Sequence, residues 1–466
     1  MKRIVTVFLL GLCSTAAAAD RPGQKFLLKP SDLPKPYVTP AVANNNKDIP
    51  RAPGVMPQAP KGFTVSIFAD GLINARGLLT APNGDVFVSE RTAGKITLLR
   101  DSKSAGKADQ RFTFVSGLNK PQGMALKDGY FYYSDWMAVW RVPYKPGQTA
   151  AGKPQRVTIA SDLRNSGMHA TRNLAIAPDG TVFVEMGSHD NVSEYQPGAK
   201  VFKVDAKGNL AEYASGIRNP VGIAMYPGTG DLFVAVNERD GLGDNLPPDY
   251  FTYVKPGGFY GYPWSYTGKL PDPDLGAKRP DMVAKATVPD VLFPAHSAPV
   301  GLTFYTGDNF PAEYKGDAFV SLHGSWNTSE PHGYKVVRIR MKNARPVGGY
   351  ENFLTGFWDG KSRNPPLAWG RPVGLAVAKD GSLLVADDVG QTIWKSLIRE
   401  RNNGKSQSPQ HDRRKPGFGC DPGLGQESED FFQSAGRRGR LPPSHLRPAF
   451  CLQSQGSAEA ALRHRD

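Results

Sequence analysis

Eight polar residues stand just ahead of apolar runs in this chain: Arg76, Gln122, His169, Arg172, Arg218, Asn219, His296 and Arg371. Guanidinium forks and amides grip carboxylates and phosphates. An imidazole at neutral pH can take a proton from a hydroxyl. Together these side chains suit an anionic ligand bound beside a base. A second group differs in kind. Glu238, Asp240, Asp244 and Asp249 crowd the segment NERDGLGDNLPPDY, which runs from Asn237 to Tyr250 and carries two Gly and two Pro. Hard oxygen ligands on a turn-rich loop suit Ca²⁺, although the spacing is not that of an EF-hand. Glu238, Arg239, Asp240 and Asp244 are therefore the candidate metal positions, with a solvated acidic loop as the alternative.

The elements that must position these residues are repeats. Six segments open on Gly77, Gly123, Asn173, Gly222, Gly301 and Gly374, at intervals of 46, 50, 49, 79 and 73 residues. Each has a short apolar run, a Gly-bearing turn such as PNG, PDG or KDG, and a second β-branched and aromatic run ending near an acidic or small residue. The turns allow tight hairpins, and the runs favour strands. Further strands follow, as over 95–100 and 335–340. Periods of this length with four strands each predict an all-β, six-bladed β-propeller with four-stranded antiparallel blades, over residues 61–397. A pair of β-sandwiches fits six regular copies less well. In a propeller the residues ahead of each innermost strand open onto one axis, so the polar residues above are expected to converge in a cationic mouth. The long fourth and fifth intervals imply insertions, around 240–261 and 270–289.

The flanks read differently. Lys2, Arg3, the apolar run from Ile4 to Leu12 and Ala17-Ala18-Ala19 predict a cleaved signal peptide over 1–19, hence a periplasmic or secreted protein with no membrane span. Residues 20–60 hold nine prolines and are expected to form an extended arm, packed loosely if at all. The stretch 398–466, rich in Arg, Gly, Ser and Pro, reads as a disordered tail, or as a frame-shifted ending. Of Cys13, Cys420 and Cys451, none lies in the body, which excludes a disulfide framework and thiol chemistry there. The net charge of +14 is scattered, and no nucleic-acid motif accompanies it. No dinucleotide fingerprint, Walker loop, HExxH, GxSxG or CxxCH is present.

Several stretches resemble the soluble pyrroloquinoline quinone (PQQ)-dependent glucose and sorbosone dehydrogenases. They are SERTAGKI from Ser89, HATRNLAIAPDGTVFVEMG from His169, GIRNPVGIA from Gly216, GGFYGYPWSY from Gly257 and GRPVGLAVAKDGSLLVADD from Gly370. The resemblance implies PQQ and Ca²⁺ as cofactors. It implies His169 as the general base while hydride passes to the quinone C5, and Arg218 beside the reactive oxygens. Asn219 would bind the cofactor and Arg371 would meet one of its three carboxylates. Arg172, Gln122, Arg76 and His323 join them as candidate cofactor ligands. The chain has His323 where that family carries a lysine, Arg239-Asp240 where Gly-Pro holds calcium, and Met168 where an aspartate stands, departures that resemble the sorbosone-type branch. The expectation is oxidation of an aldose or sugar aldehyde, a small-molecule substrate, with electrons leaving to a separate quinone or cytochrome acceptor. Two alternatives are a metal-dependent lactonase, which would need a carboxylate and amide cluster at the axis, and a non-catalytic binding propeller.

Overall fold

The computed structural model describes residues 20–159, 163–164, 167–195 and 197–398. The predicted leader at 1–19 and the tail at 399–466 lie outside the described residues. The body is a six-bladed propeller of four-stranded antiparallel sheets. The innermost strands are Ala75–Thr80, Met124–Lys127, Leu174–Ile176, Asn219–Met225, Pro299–Phe304 and Pro372–Val377. The hairpin turns are made where the sequence places glycine: Gly84 in PNG has φ +99° and Gly381 in KDG has φ +79°, angles costly for other residues. The ring is closed by Phe63–Ala69, which pairs antiparallel with Thr392–Ile398 as the outer strand of the last blade. Both ends of the propeller thus share one sheet.

Each sheet buries both faces. Between the first and second blades Phe87, Phe114, Phe131 and Tyr144 form one aromatic cluster, with Phe87 and Phe131 centroids 4.6 Å apart. The acids that end several repeats are hairpin staples. The Asp135 carboxylate accepts from the Met137 and Ala138 amides and from Trp140 Nε1, at 3.0, 3.0 and 3.1 Å. Asp387 does the same for the Arg371 and Gly390 amides and Trp394 Nε1, at 2.8, 2.7 and 3.1 Å.

The repeat glycines have a closer task. A Cβ built on Gly77, Gly301 or Gly374 lands on the next blade's backbone, at Gln122, Val373 and Arg76 respectively. Hydroxyls tie the same seam: Ser89 Oγ donates to Gln122 O at 3.0 Å and Ser321 Oγ to Val373 O at 2.5 Å. The third blade substitutes a different bond, in which Asn173 Nδ2 donates to Val221 O at 3.0 Å. Gly301→Ala is therefore expected to cost about 3 kcal/mol or more, because backbone rather than a side chain must give way. Gly152→Ala, with nothing within 4 Å of its Cβ, should be near neutral. Chemical denaturation of the two variants checks this, and equal stabilities would refute the seam.

Two expectations change. The arm is fastened rather than loose. Lys25–Phe26 adds a strand to the fifth blade against Tyr350–Glu351, and Lys47–Asp48 pairs parallel with Leu367–Ala368. The Asn44 amide donates to Thr328 O and Arg363 O at 2.9 and 2.8 Å. Proline excludes long regular elements but not single bonds between them. The insertions also move. Pro248–Tyr253 is a blade strand, so the fourth-interval insertion follows it, with a short hairpin and the helix Pro280–Lys285 before Val291–Ala295. The fifth interval's extra length lies between Leu322 and Lys335 and between Leu354 and Pro372. Among the described residues no helix is long and apolar enough to cross a membrane.

Candidate active site

The polar residues gather at one end of the axis, above a central cavity of about 420 Å³. Arg76, Gln122 and Asn173 line its polar end, and Leu78, Leu174, Leu302 and Leu375 its walls. Two clusters meet there. The first joins the third and fourth blades. His169 Nδ1 lies 2.7 Å from Ser188 O and 3.1 Å from Ser188 Oγ. A carbonyl only accepts, so Nδ1 carries the proton and Nε2 keeps its lone pair. Burial, then the Arg218 charge, push the imidazole down to about 4, so it is neutral at physiological pH. Gly187 lets this cluster close: its Cβ would fall 2.5 Å from Asn219 Oδ1 and 2.6 Å from His169 Cβ.

Arg218 is buried and anchored on main chain. Nε donates to Asn191 O at 3.1 Å, Nη1 to Glu238 O at 2.6 Å and Nη2 to Asn191 Oδ1 at 2.9 Å. Asn191 also accepts from the Asp240 amide at 2.8 Å, which makes it the hub of the cluster. Arg172 is completely buried, and its guanidinium donates to the carbonyls of Leu163, His169 and Thr171. It braces the His169 loop from behind.

The second cluster spans the fifth, sixth and first blades. Asp388 Oδ2 accepts from Arg76 Nη1 at 2.7 Å, and Oδ1 from His323 Nε2 at 3.0 Å. Burial opposes its ionisation, but the His323 donor and the Arg76 and Arg371 charges hold it well below the usual carboxylate range. His323 is pushed down to about 4, by burial and then by Arg371, and donates as a neutral ring. Arg371 donates to His323 O at 3.0 Å and Gly324 O at 2.8 Å.

The acidic segment does not form the side-chain cage read from the sequence. Among the described residues no group of three or more His, Cys, Asp or Glu converges as a metal site. Both Asp244 oxygens accept from Ser329, the amide at 3.0 Å and the hydroxyl as well. Arg239 pairs with Asp272 and, at 3.3 Å, with Asp274. Burial, against the Arg218 charge, pushes Glu238 up to about 8 and keeps it protonated. Asp249 accepts from the Glu238 and Ala298 amides at 2.8 and 2.8 Å. Asp240 stays at the mouth as an anion. Burial works against it, but the His296 bond, the Arg218 charge and Asn327 lower it. His296 itself is raised: burial resists its charge, yet Asp240 and Gly243 O outweigh that. Asp244 and Asp249 are structural because backbone amides and the Ser329 hydroxyl consume their oxygens.

Asn191, Ser188, Asp388, Asn327, Arg91 and Glu185 escaped the sequence reading. The doubled acid of VADD, Asp387-Asp388, was the visible signal for one of them. Arg91 and Glu185 lie within SERTAGKI and HATRNLAIAPDGTVFVEMG, stretches that carry the family resemblance.

A family model described as TrAA12-like matches residues 57–247 and 278–395. The chain belongs to this family. A protein of Borreliella burgdorferi of uncharacterised function is 29% identical over 354 residues, 72% of this chain and 90% of that one. A PQQ-dependent pyranose dehydrogenase of Coprinopsis cinerea is 23% identical over 414 residues, 75% of this chain, which spans 55% of that relative's length. The solved Trichoderma reesei carbohydrate-active enzyme of family AA12 superposes with TM-score 0.65 at 19% identity, covering 76% of this chain and 100% of that one. The holo PQQ domain of the Coprinopsis enzyme gives 0.63 at 20%, over 76% and 100%. At these identities the structural likeness is one of fold.

Proposed function

We propose that this TrAA12-like protein is a PQQ-dependent dehydrogenase of an aldose or sugar aldehyde. The observation that carries the reading is a neutral His169 with a free Nε2 beside a mouth of surplus positive charge. Among the described residues, Arg76, Arg91, Arg172, Arg218 and Arg371 stand near the ionised Asp240 and Asp388, with Asp48 beside Arg371, while Glu185 and Glu238 are pushed to about 8. A tricarboxylate supplies the missing charge. Asn219 Oδ1, Gln122 Oε1 and Arg76 Nε are buried without a protein partner and so are fitted to take one from a ligand. The pyranose dehydrogenase relative supports the substrate class.

In this reading Arg76, Gln122, Asn219, His323 and Arg371 hold the cofactor, which when bound accepts a hydride equivalent from the sugar. His169 Nε2 takes the hydroxyl proton. Ser188 O holds the Nδ1 proton, and Arg172 fixes the loop that presents the ring. Arg218 stabilises negative charge as it develops. The carboxylates of 238–249 do not fit a calcium cage, since Ser329 and the Glu238 and Ala298 amides already occupy Asp244 and Asp249. Electrons leave to a separate quinone or cytochrome acceptor, in a periplasmic or secreted protein.

Reconstitution tests the proposal. Purified protein receives PQQ, with and without Ca²⁺, and dye reduction is followed with aldoses and sorbosone. Sugar-dependent reduction that requires PQQ is expected. PQQ binding without any sugar turnover would overturn the substrate class. Absence of PQQ binding would overturn the reading and favour a binding propeller.

A further inference from the structure

Arg91 opens the turn after the second strand of the first blade, where its amide donates to Asn74 O at 3.0 Å. Its guanidinium is half-buried and, among the described residues, has no hydrogen bond and no ion pair. The charged groups that act on it are Arg76, Glu185, Arg172 and Asp388. Asp388 is already engaged by Arg76 and His323. Glu185 is the other carboxyl acting on it among the described residues.

Glu185 exists because the third blade breaks the seam pattern. It stands where Ser89 and Ser321 stand in their blades, but Asn173 Nδ2 already satisfies Val221 O. Position 185 is thereby free to carry an acid. Its Oε1 accepts from the Asn173 amide at 2.7 Å, and its Oε2 is buried with no partner. Burial, against the pull of Arg172 and Arg91, pushes this carboxyl up to about 8. At neutral pH it is protonated and leaves Arg91 uncompensated. A half-buried cation among other cations is costly unless a ligand supplies the anion.

We propose that Arg91 anchors a carboxylate of the bound cofactor and that Glu185 is the internal acid that competes for it. This rests on the quinone reading above. An ionised Glu185 supplies a counter-charge from inside the protein, so anion binding weakens as the pH rises past about 8.

The test is titration of the full chain with PQQ, followed by quenching of tryptophan fluorescence at pH 7 and pH 9. Arg91→Gln should weaken binding about 30-fold at pH 7, the loss of one charge-assisted fork, and Arg91→Lys should recover part of it. Glu185→Gln should bind like wild type at pH 7 and lose the weakening at pH 9. Methyl-esterified PQQ, which offers no carboxylate, should distinguish wild type from Arg91→Gln little or not at all. Equal PQQ affinities for wild type and a folded Arg91→Gln overturn the inference alone. Wild-type affinity that does not fall between pH 7 and 9 overturns the role of Glu185, even where no variant folds. Wild type that binds no PQQ overturns the functional reading together with this inference.

Discussion

His169→Ala should lower kcat by about 10³-fold while leaving PQQ affinity unchanged, within the 10²–10⁴ range that a positioned base contributes. The ring is held by Ser188 O at 2.7 Å on Nδ1, which leaves Nε2 as the basic atom. A base acts only where it is unprotonated. Because burial and Arg218 push His169 down to about 4, its basic form persists throughout the physiological range. The kcat/KM profile should therefore be flat from about pH 6 to pH 8 and fall only as pH drops toward 4. A low pKa also makes the base weak, so turnover leans on Arg218 to stabilise the negative charge that develops as the cofactor takes the hydride. Stopped-flow reduction of the PQQ-loaded variant separates this loss from slow acceptor chemistry. A His169→Ala protein that turns over at the wild-type rate removes the assigned base.

The fold was legible because a propeller repeats its evidence. Gly77, Gly123, Gly222, Gly301 and Gly374 mark the seam on one inner strand after another, and each is followed by a turn signal. One such segment would have meant little. The closing strand Phe63–Ala69 was not legible, since its partner Thr392–Ile398 is at the far end of the chain and no local pattern links them. At the site, His169, Arg218 and Asn219 could be read because each directly precedes or opens a blade. The metal cage failed for a physical reason. Composition reports how many carboxylates a loop contains, not how many turn amides they serve, and Asp244 and Asp249 are used up that way. Asn191 and Asp388 act by bridging blades, so their role depends on register and appears only once the blades are assembled.

Arg218→Gln should lower kcat by about 10²-fold, the scale of one lost donor to developing negative charge, and should also move the pH profile. The second effect is the more telling. Arg218 is, after burial, the largest cause of the depressed His169 pKa. Without that charge the ring shifts toward its ordinary value, so the acid limb of kcat/KM should move up from near pH 4. A substitution that merely loosened the fold would lower activity without raising a pKa. Some loosening is expected too, because Asn191 O and Glu238 O lose their donor, at about 1–3 kcal/mol for a buried group left unpaired. Arg218→Lys keeps the charge while losing the fork, so it should retain the acid limb near its wild-type position and still lose part of kcat. An Arg218→Gln profile that superposes on wild type would mean that burial alone sets His169, and that the guanidinium only shapes the Asn191 loop.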